Sequence, residues 1–184
     1  MTLGELLSGI GQRLASAGIP FMVTGSVASS FHGEPRATRD IDIVIDPTPE
    51  ALDAFVAALP GDAFYVDPDA AKAALAVRSQ FNVIENASGW KVDLVIRKER
   101  AFSVEEFARR QPAELLGTAT VVASAEDLVI AKMEWAKAAE SERQLRDVVA
   151  ILAVNRDRLD YPYIERWVLA LGLRQVWSQV RGGQ

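Results

Sequence analysis

The sequence lacks cysteine and nearly lacks histidine, and these absences exclude several kinds of chemistry. Among 184 residues there is no cysteine and a single histidine, His32. Disulfides, thiolate metal sites and cysteine nucleophiles are therefore excluded, and one histidine does not supply a zinc site. A chain without disulfides suits a reducing compartment, so we expect a cytoplasmic protein.

Long apolar runs and an excess of basic charge are also missing. No apolar stretch approaches the ~20 residues that span a bilayer, so we expect no membrane partner. The first residues contain neither a basic region nor a continuous apolar run, which predicts no secretory signal. Apolar residues make up 49% of the chain and charged residues 24%, as in globular domains. The formal net charge of −5 argues against a broad basic surface for long nucleic acids.

The hydrophobic pattern predicts α/β structure up to about residue 122 and helices beyond it. A first helix ends at Gly18, a strand covers 20–24, a short helix covers 27–32, and a second strand covers 40–46. Further strands are predicted at 64–66, 81–85 and 90–96, further helices at 49–59, 68–77 and 124–139, and three more helical patterns follow. We therefore expect an α/β (α+β) fold with a mixed sheet flanked by helices, in which 1–122 form the core and 123–184 form a helical part packed on it.

Two aspartates stand one residue apart at the start of the second predicted strand. Side chains alternate across a strand, so Asp40 and Asp42 share one face while Ile41 and Ile43 occupy the other. Carboxylates this close repel each other, and a shared divalent cation removes that conflict. Hard oxygen ligands suit Mg²⁺ (or Mn²⁺), so we expect Asp40 and Asp42 to bind metal.

A third aspartate, Asp93, lies in a later apolar strand beside Lys91. If this strand pairs with the Asp40 strand, three carboxylates meet at one end of the sheet. Such a site holds two Mg²⁺ ions, one on a triphosphate and one on an incoming hydroxyl, as in-line phosphoryl transfer requires. Asp93 could also serve as the general base. The alternative for Asp93 alone is an exposed strand aspartate.

Upstream of the aspartates, Gly25 and Ser26 form a turn between the first strand and the short helix. Backbone N–H groups of such a turn can hold a nucleotide phosphate, although a plain turn is the commoner meaning of this pair. Arg39 either binds phosphate or pairs with a neighbouring carboxylate.

In the helical part, Lys132 falls on the apolar stripe of its helix, where Trp135 is also expected in the core. A lysine there is costly unless it meets an anion, for which a nucleotide phosphate is a candidate. Otherwise its stem packs while its ammonium reaches solvent or Asp127. Asp147 is expected on the opposite side of its own helix from the apolar residues, in an i, i+4 pair with Arg143.

These motifs resemble those of the nucleotidyltransferase superfamily related to DNA polymerase β. Its hallmark is a Gly-Ser turn, then a strand with Asp-x-Asp, then an aspartate on a later strand, which Gly25-Ser26, Asp40/Asp42 and Asp93 match in order. The segments 38–43, 126–132 and 146–149 are similar to the AbiEii-like branch, which contains toxins of type IV toxin–antitoxin systems, some adding nucleotides to tRNA. In that branch a lysine of the helical part contacts the nucleotide, which implies this role for Lys132.

The resemblance implies an enzyme that transfers a nucleoside monophosphate from an NTP to an acceptor hydroxyl and releases pyrophosphate. Asp40, Asp42 and Asp93 are then catalytic and metal-binding, whereas Gly25, Ser26, Arg39 and Lys132 bind the nucleotide. RNA, a protein and a small hydroxylated molecule stay open as acceptors, and a cognate antitoxin or toxin is an implied partner.

Two other classes of function compete with this hypothesis. The first is a non-catalytic nucleotidyltransferase-fold module that works as an antitoxin or a regulatory partner, which loss of the carboxylates would signal. The second is a structural domain whose carboxylate cluster binds Ca²⁺. Metal-dependent NTP binding separates the enzyme from the Ca²⁺-binding domain, and turnover separates it from the non-catalytic module.

Overall fold

The computed structural model describes residues 1–182, which form a seven-stranded sheet and nine helices. The strands are β1 (Phe21–Thr24), β2 (Asp40–Ile45), β3 (Phe64–Val66), β4 (Gln80–Glu85), β5 (Lys91–Ile96), β6 (Gln111–Leu115) and β7 (Thr118–Val122). The helices are α1 (Leu3–Ser16), α2 (Gly25–His32), α3 (Pro49–Ala57), α4 (Pro68–Val77), α5 (Ala101–Ala108), α6 (Ala125–Ala139), α7 (Glu142–Val154), α8 (Tyr161–Ala170) and α9 (Arg174–Gly182). This mixed architecture confirms the predicted fold class.

The sheet has the strand order β3-β4-β5-β2-β1-β7-β6, with β2 at its centre. β2 pairs in parallel with β5 and antiparallel with β1. β5 in turn pairs antiparallel with β4, and β1 pairs in parallel with β7. The pairing of β5 beside β2 is the one that the predicted aspartate cluster requires.

Alternation of side chains explains why β2 and β5 form the centre of the sheet. Ile41, Ile43 and Ile45 of β2 are fully buried, while Asp40, Asp42 and Val44 on the other face are half-buried. In β5, Val92, Leu94 and Ile96 are fully buried in the same way. One face of both strands therefore packs into the core, and the other face carries the polar residues.

Residues 97–119 contain elements that the hydrophobic pattern did not predict. They form α5, β6 and the start of β7, and the two strands make a hairpin at the end of the sheet. β6 carries Pro112, which cannot donate a ladder hydrogen bond and is tolerated because β6 is an edge strand. The connecting turn uses left-handed backbone at Leu116 and Gly117 (φ 53° and 72°), as a tight hairpin requires.

Contacts divide the chain into two compact units. The sheet unit comprises 1–27 and 37–122 and contains all seven strands that the structure describes. The helical unit comprises 28–36 and the residues from Ala123 onward, including α6 to α9. The proposed division into domains at 122/123 stays a prediction. None of the helices within 1–182 combines the length and the apolarity that crossing a bilayer requires.

The aromatic residues of the helical unit differ in part from expectation. Trp167 and Trp177 are buried, whereas Trp135 is 60% exposed, so its predicted place in the core is wrong. The buried side of α6 is centred on Val129 and Lys132, and Trp135 lies about 90° from that centre on a helix of 100° per residue.

Candidate active site

A polar row crosses four neighbouring strands on one face of the sheet. Asp42 of β2 stands opposite Thr24 of β1 on one side and opposite Asp93 of β5 on the other. Asp93 is in turn opposite Asn82 of β4. Since residues in register point to the same face, the row brings two carboxylates from distant parts of the chain side by side.

Asp40 lies two residues before Asp42 on that same face, opposite Lys91 of β5. The backbone N–H of Asp40 donates to the Thr38 hydroxyl oxygen (3.3 Å), and this hydroxyl donates to the Asp40 carbonyl (3.1 Å). The loop residue thus fixes the point at which β2 begins. The face collects three carboxylates and one ammonium group within a few residues of the strand starts.

Gly25, the first residue of α2, lies directly against Asp42. Its backbone is left-handed (φ +62°), and a Cβ placed there would be 1.9 Å from Asp42 Oδ2 and 2.5 Å from Asp42 Cγ. The next residue, Ser26, donates its backbone N–H to Asp42 Oδ2 (3.4 Å). Only glycine allows this approach, because any side chain would collide with the carboxylate. The predicted Gly25-Ser26 turn is therefore the first turn of α2, which begins two residues earlier than predicted.

Asp93 is 8% exposed, and both of its carboxylate oxygens accept side-chain hydrogen bonds. Asn82 Nδ2 donates to Oδ1 at 2.8 Å, and Lys91 Nζ donates to Oδ2 at 2.9 Å. The hydrogen bond to Asp93 raises the pKa of Lys91, and the charges of Asp93, Asp40 and Asp42 add to this effect against the opposing effect of burial. Lys91 is thus a charged member of the carboxylate cluster.

The donor set suits a hard divalent cation, although the side chains do not form a closed metal site. Within residues 1–182, no group of three or more His, Cys, Asp or Glu is arranged so that it could hold a metal ion. Asp40 and Asp42 nevertheless offer carboxylate oxygens on one face, and the Asp42 carboxylate lies against the backbone of Gly25. This chemistry fits Mg²⁺ or Mn²⁺. The metal-binding role of Asp40, Asp42 and Asp93 stays a prediction.

Arg39 lies immediately before β2, and its side chain is exposed. Its backbone carbonyl accepts a long hydrogen bond from the Lys91 N–H (3.5 Å). Neither a phosphate contact nor an ion pair is decided by this geometry, so the nucleotide-binding role of Arg39 stays a prediction.

In the helical unit, Lys132 is buried as its place on the apolar stripe predicts, with 4% of the residue exposed. Its ammonium donates to Asp147 Oδ2 at 2.7 Å and to Gln144 Oε1 at 2.8 Å. An anion beside Lys132 is therefore Asp147, which the sequence analysis did not assign to it.

Asp147 also binds Arg36, whose Nε and Nη2 reach its two oxygens at 3.2 and 3.1 Å. The predicted pairing of Asp147 with Arg143 is wrong. Burial raises the pKa of Asp147, but hydrogen bonds and charge from Lys132 and Arg36 outweigh burial and hold this pKa below its usual 3.8. Asp147 therefore carries a negative charge between two cations.

Comparisons with known proteins gave matches among solved structures only. No family model matches the chain, and no curated protein matches it. ANT(2″)-Ia in complex with adenylyl-2″-tobramycin is similar, with a TM-score of 0.61 and 14% identity over 96% of this chain and 99% of that chain. The solution structure of the same antibiotic-resistance factor gives a TM-score of 0.56 and 12% identity over 98% and 99% of the two chains. An antigenic nucleotidyltransferase-like protein from Paracoccidioides brasiliensis gives 0.57 and 16% over 97% and 92%.

The chain has a nucleotidyltransferase fold. At these identities the likeness concerns the fold, and it agrees with the superfamily resemblance that the aspartate motifs suggest. The AbiEii-like branch is a finer assignment that the neighbours do not decide.

Within this nucleotidyltransferase fold, sequence reasoning missed Asn82 and the partners of Asp147. Asn82 lies in an otherwise alternating strand, and only the register of β4 against β5 assigns it to Asp93. Asp147 could have been found, because Val148, Ile151 and Leu152 define a buried arc of α7 that includes position 147. The expectation for Asp147 instead took Leu145 and Val149 as the buried side of α7. This choice placed Asp147 on the exposed side of the helix.

Proposed function

We propose that this chain is a metal-dependent nucleotidyltransferase that moves a nucleoside monophosphate from an NTP to an acceptor hydroxyl. The observation that supports it most is the parallel pairing of β2 with β5, which sets Asp42 directly opposite Asp93. Asp40 shares their face, and the backbone of Gly25 lies against Asp42. The resemblance names three parts. They are a glycine at the start of the helix before β2, an aspartate pair on one strand, and a third aspartate on the neighbouring strand.

The three carboxylates have two roles in this proposal. Asp40 and Asp42 hold Mg²⁺, which supplies positive charge to the triphosphate in the transition state. Asp93, held by Asn82 and Lys91, orients the acceptor hydroxyl and accepts its proton as the oxygen attacks the α-phosphorus. The new P–O bond forms as the bond to the leaving pyrophosphate breaks.

Four residues enter the proposal as nucleotide-binding groups. Gly25 and Ser26 open α2, and the start of a helix suits an anion because of the helix dipole. Arg39 is included because of its charge, and Lys132 is included because the resemblance implies this role.

The acceptor is drawn from three classes, RNA (including tRNA), a protein side chain and a small hydroxylated molecule. The complex of ANT(2″)-Ia with adenylyl-2″-tobramycin supports the last class. The arginines Arg143, Arg146, Arg156 and Arg158 of the helical unit support RNA, whereas the net charge of −5 opposes a long nucleic-acid track.

The finer assignment, to the AbiEii-like branch and to a toxin–antitoxin pair, is supported by the motifs at 38–43, 126–132 and 146–149 alone. We include it in the proposal, together with a cytoplasmic location, which the absence of cysteine supports. Expression of the wild type should then arrest growth of a bacterial host, and expression of Asp42→Ala should not. Equal growth of the two strains would remove the toxin role and leave the enzyme untouched.

The test of the enzyme is transfer of α-labelled nucleotide, one NTP at a time with Mg²⁺, into separate pools of RNA, protein and metabolites. Asp42→Ala should lower transfer at least about a thousandfold, or about 4 kcal/mol of barrier, because charge held near the α-phosphate is lost. Asp157→Ala, a change at an exposed aspartate, is the matched control and should keep wild-type rates. The labelled pool names the acceptor class. A folded wild type that labels nothing from any NTP would favour the non-catalytic binding module, and equal rates for Asp42→Ala and wild type would show that the site is misplaced.

A further inference from the structure

The contacts of Asp93 bear on how many metal ions the proposed site takes. Two ions, as expected from the sequence, require Asp93 to bind one of them through a carboxylate oxygen. Both oxygens are instead engaged by protein side chains, Oδ1 by Asn82 at 2.8 Å and Oδ2 by Lys91 at 2.9 Å. The residue is also 8% exposed, and a cation that bound Oδ2 would have to displace the Lys91 ammonium.

These contacts are built into the sheet rather than into a loop. Lys91 precedes Asp93 by two residues on the same strand, so both side chains leave the same face. Asn82 comes from β4 at the register position opposite Asp93. Because three positions in two paired strands fix the arrangement, it is part of the fold.

The charges of the face give a second, independent reason. Asp40, Asp42 and Asp93 contribute three negative charges and Lys91 contributes one positive charge, which leaves two negative charges. A single divalent cation balances these, and a second one would place its charge beside the Lys91 ammonium. Like charges this close disfavour each other by an amount comparable to the attraction of an ion pair.

We propose that Lys91 takes, at Asp93, the place of a second divalent ion. The chain then binds one divalent ion through Asp40 and Asp42, while Asp93, held by Lys91 and Asn82, orients the acceptor. Lys91 and Asn82 are positioning residues, since they act through Asp93. This inference rests on the proposed function. It replaces the metal-binding role that the sequence predicted for Asp93 with a role in orienting the acceptor.

The test counts Mn²⁺ bound to the folded chain by electron paramagnetic resonance, with the metal alone and no nucleotide. The wild type should bind one Mn²⁺, and Lys91→Met should bind a second, or bind the first about tenfold more tightly, because Asp93 Oδ2 becomes free. Lys98→Met removes the same charge at an exposed position outside the polar row and should change the affinity less than about twofold. Lys91→Gln replaces Lys91→Met with the same expectation if the methionine variant does not fold.

The decisive variant is the charge-balanced double change Lys91→Met/Asp93→Asn. If Asp93 is not a ligand, this variant keeps one Mn²⁺ with an affinity within about threefold of wild type. Two results overturn the inference. One is a wild type that binds two Mn²⁺, and the other is a folded double variant whose affinity for Mn²⁺ is at least tenfold lower than that of the wild type. Asp42→Asn distinguishes failure of this inference from failure of the proposed function. If this variant binds Mn²⁺ as the wild type does, the ion is not held by the carboxylate site, and the proposed function fails as well.

Discussion

At the scale of single residues, the contact between Gly25 and Asp42 connects the glycine motif to the aspartate motif. Both are remote in sequence from each other, and the structure joins them because the β1–α2 junction passes directly over Asp42. The glycine thus does two things. It supplies the left-handed backbone at the junction, and it leaves the space in which the carboxylate lies.

We therefore expect Gly25→Ala to remove transfer activity while the fold persists. The new methyl group would be 1.9 Å from Asp42 Oδ2, so the carboxylate must rotate away from its position. Transfer should fall at least about a hundredfold, since a misplacement near 1 Å costs about that much. Rates with labelled NTP, together with circular dichroism, check this expectation.

Gly117→Ala is the matched control for that change. Gly117 has similar left-handed backbone (φ +72°), but nothing lies within 4 Å of the added Cβ. Its replacement carries the same backbone strain, about 1 to 2 kcal/mol, without touching Asp42. If Gly25→Ala loses no more activity than Gly117→Ala, backbone strain alone accounts for the effect and the contact with Asp42 is irrelevant.

Asp147 gives the second prediction at this scale. It is the anion between Lys132 and Arg36, and Lys132 is almost fully buried. Asp147→Asn should lower the free energy of unfolding by about 3 to 5 kcal/mol, because it leaves a buried ammonium without its counter-charge. Urea denaturation at neutral pH measures this directly.

The arginine that sequence reasoning assigned to Asp147 provides the comparison. Arg143 is exposed, and Arg143→Ala should change the free energy of unfolding by less than about 0.5 kcal/mol. The stabilising effect of Asp147 should also fade in acid. Since its folded pKa lies below 3.8, the contribution is present above that pH and is lost as pH falls through the folded pKa. Equal destabilisation by the two variants would refute the buried network.

At the scale of elements, those with a local sequence signal were predictable, whereas α5 and the β6–β7 hairpin were not. Ile41 and Ile43 alternate with Asp40 and Asp42, so β2 and its two-sided start follow from period-2 patterning. β3 and α4 have the predicted bounds, and in the structure Asp67 caps α4 and Pro68 is its first residue. The Ser124 cap of α6, which accepts from the Asp127 N–H, was predicted on the same grounds.

The remaining elements depend on tertiary context that a single sequence does not carry. β6 is an edge strand with a proline and exposed polar residues, so it lacks a period of its own. The contacts of Asp93 with Asn82 depend on strand register, which no local pattern fixes. The partner of Lys132 depends on packing between α6 and α7, and a wrong choice of the buried arc on α7 was enough to lose it.

His32, the last residue of α2, gives a prediction at the scale of the element. Its Nε2 lies 2.8 Å from the Ala123 carbonyl oxygen, to which the neutral ring donates. Burial lowers its pKa below the usual 6.5, against the opposing effects of this hydrogen bond and of the Glu126 charge. Between the folded pKa and pH 6.5 the unfolded chain binds more protons, so the free energy of unfolding decreases as pH falls through that window.

Because the chain contains one histidine, the assignment is simple to check. Urea denaturation of the wild type at pH values from 5 to 8 should show the slope, with a plateau above the window. His32→Gln, which keeps a donor for the Ala123 carbonyl, should remove it. A slope that persists unchanged in His32→Gln would assign the proton uptake to other groups.

At the scale of the whole molecule, charge makes nucleotide binding depend on a bound divalent cation. The chain carries a formal net charge of −5, and three of its carboxylates lie on one face of the sheet at the candidate site. A nucleoside triphosphate is itself a multiply charged anion. Without a bridging cation, Coulomb repulsion opposes its approach to Asp40 and Asp42, whereas a divalent ion between them turns that repulsion into attraction.

We therefore expect an NTP to stabilise the fold only when Mg²⁺ is present, and Mg²⁺ alone to stabilise it less than the two together. At about a hundred times its Kd, the pair should add about 2.7 kcal/mol to the free energy of unfolding. For a chain of this size that corresponds to a rise in Tm of about 5 to 10 °C. Differential scanning fluorimetry with NTP alone, Mg²⁺ alone, both, and both with excess EDTA provides the four comparisons. Asp42→Asn should abolish the joint effect, because it removes one of the two carboxylates that hold the ion. A shift produced by NTP in the presence of EDTA would mean that the triphosphate binds through cationic side chains and that the carboxylate row takes no part in holding it.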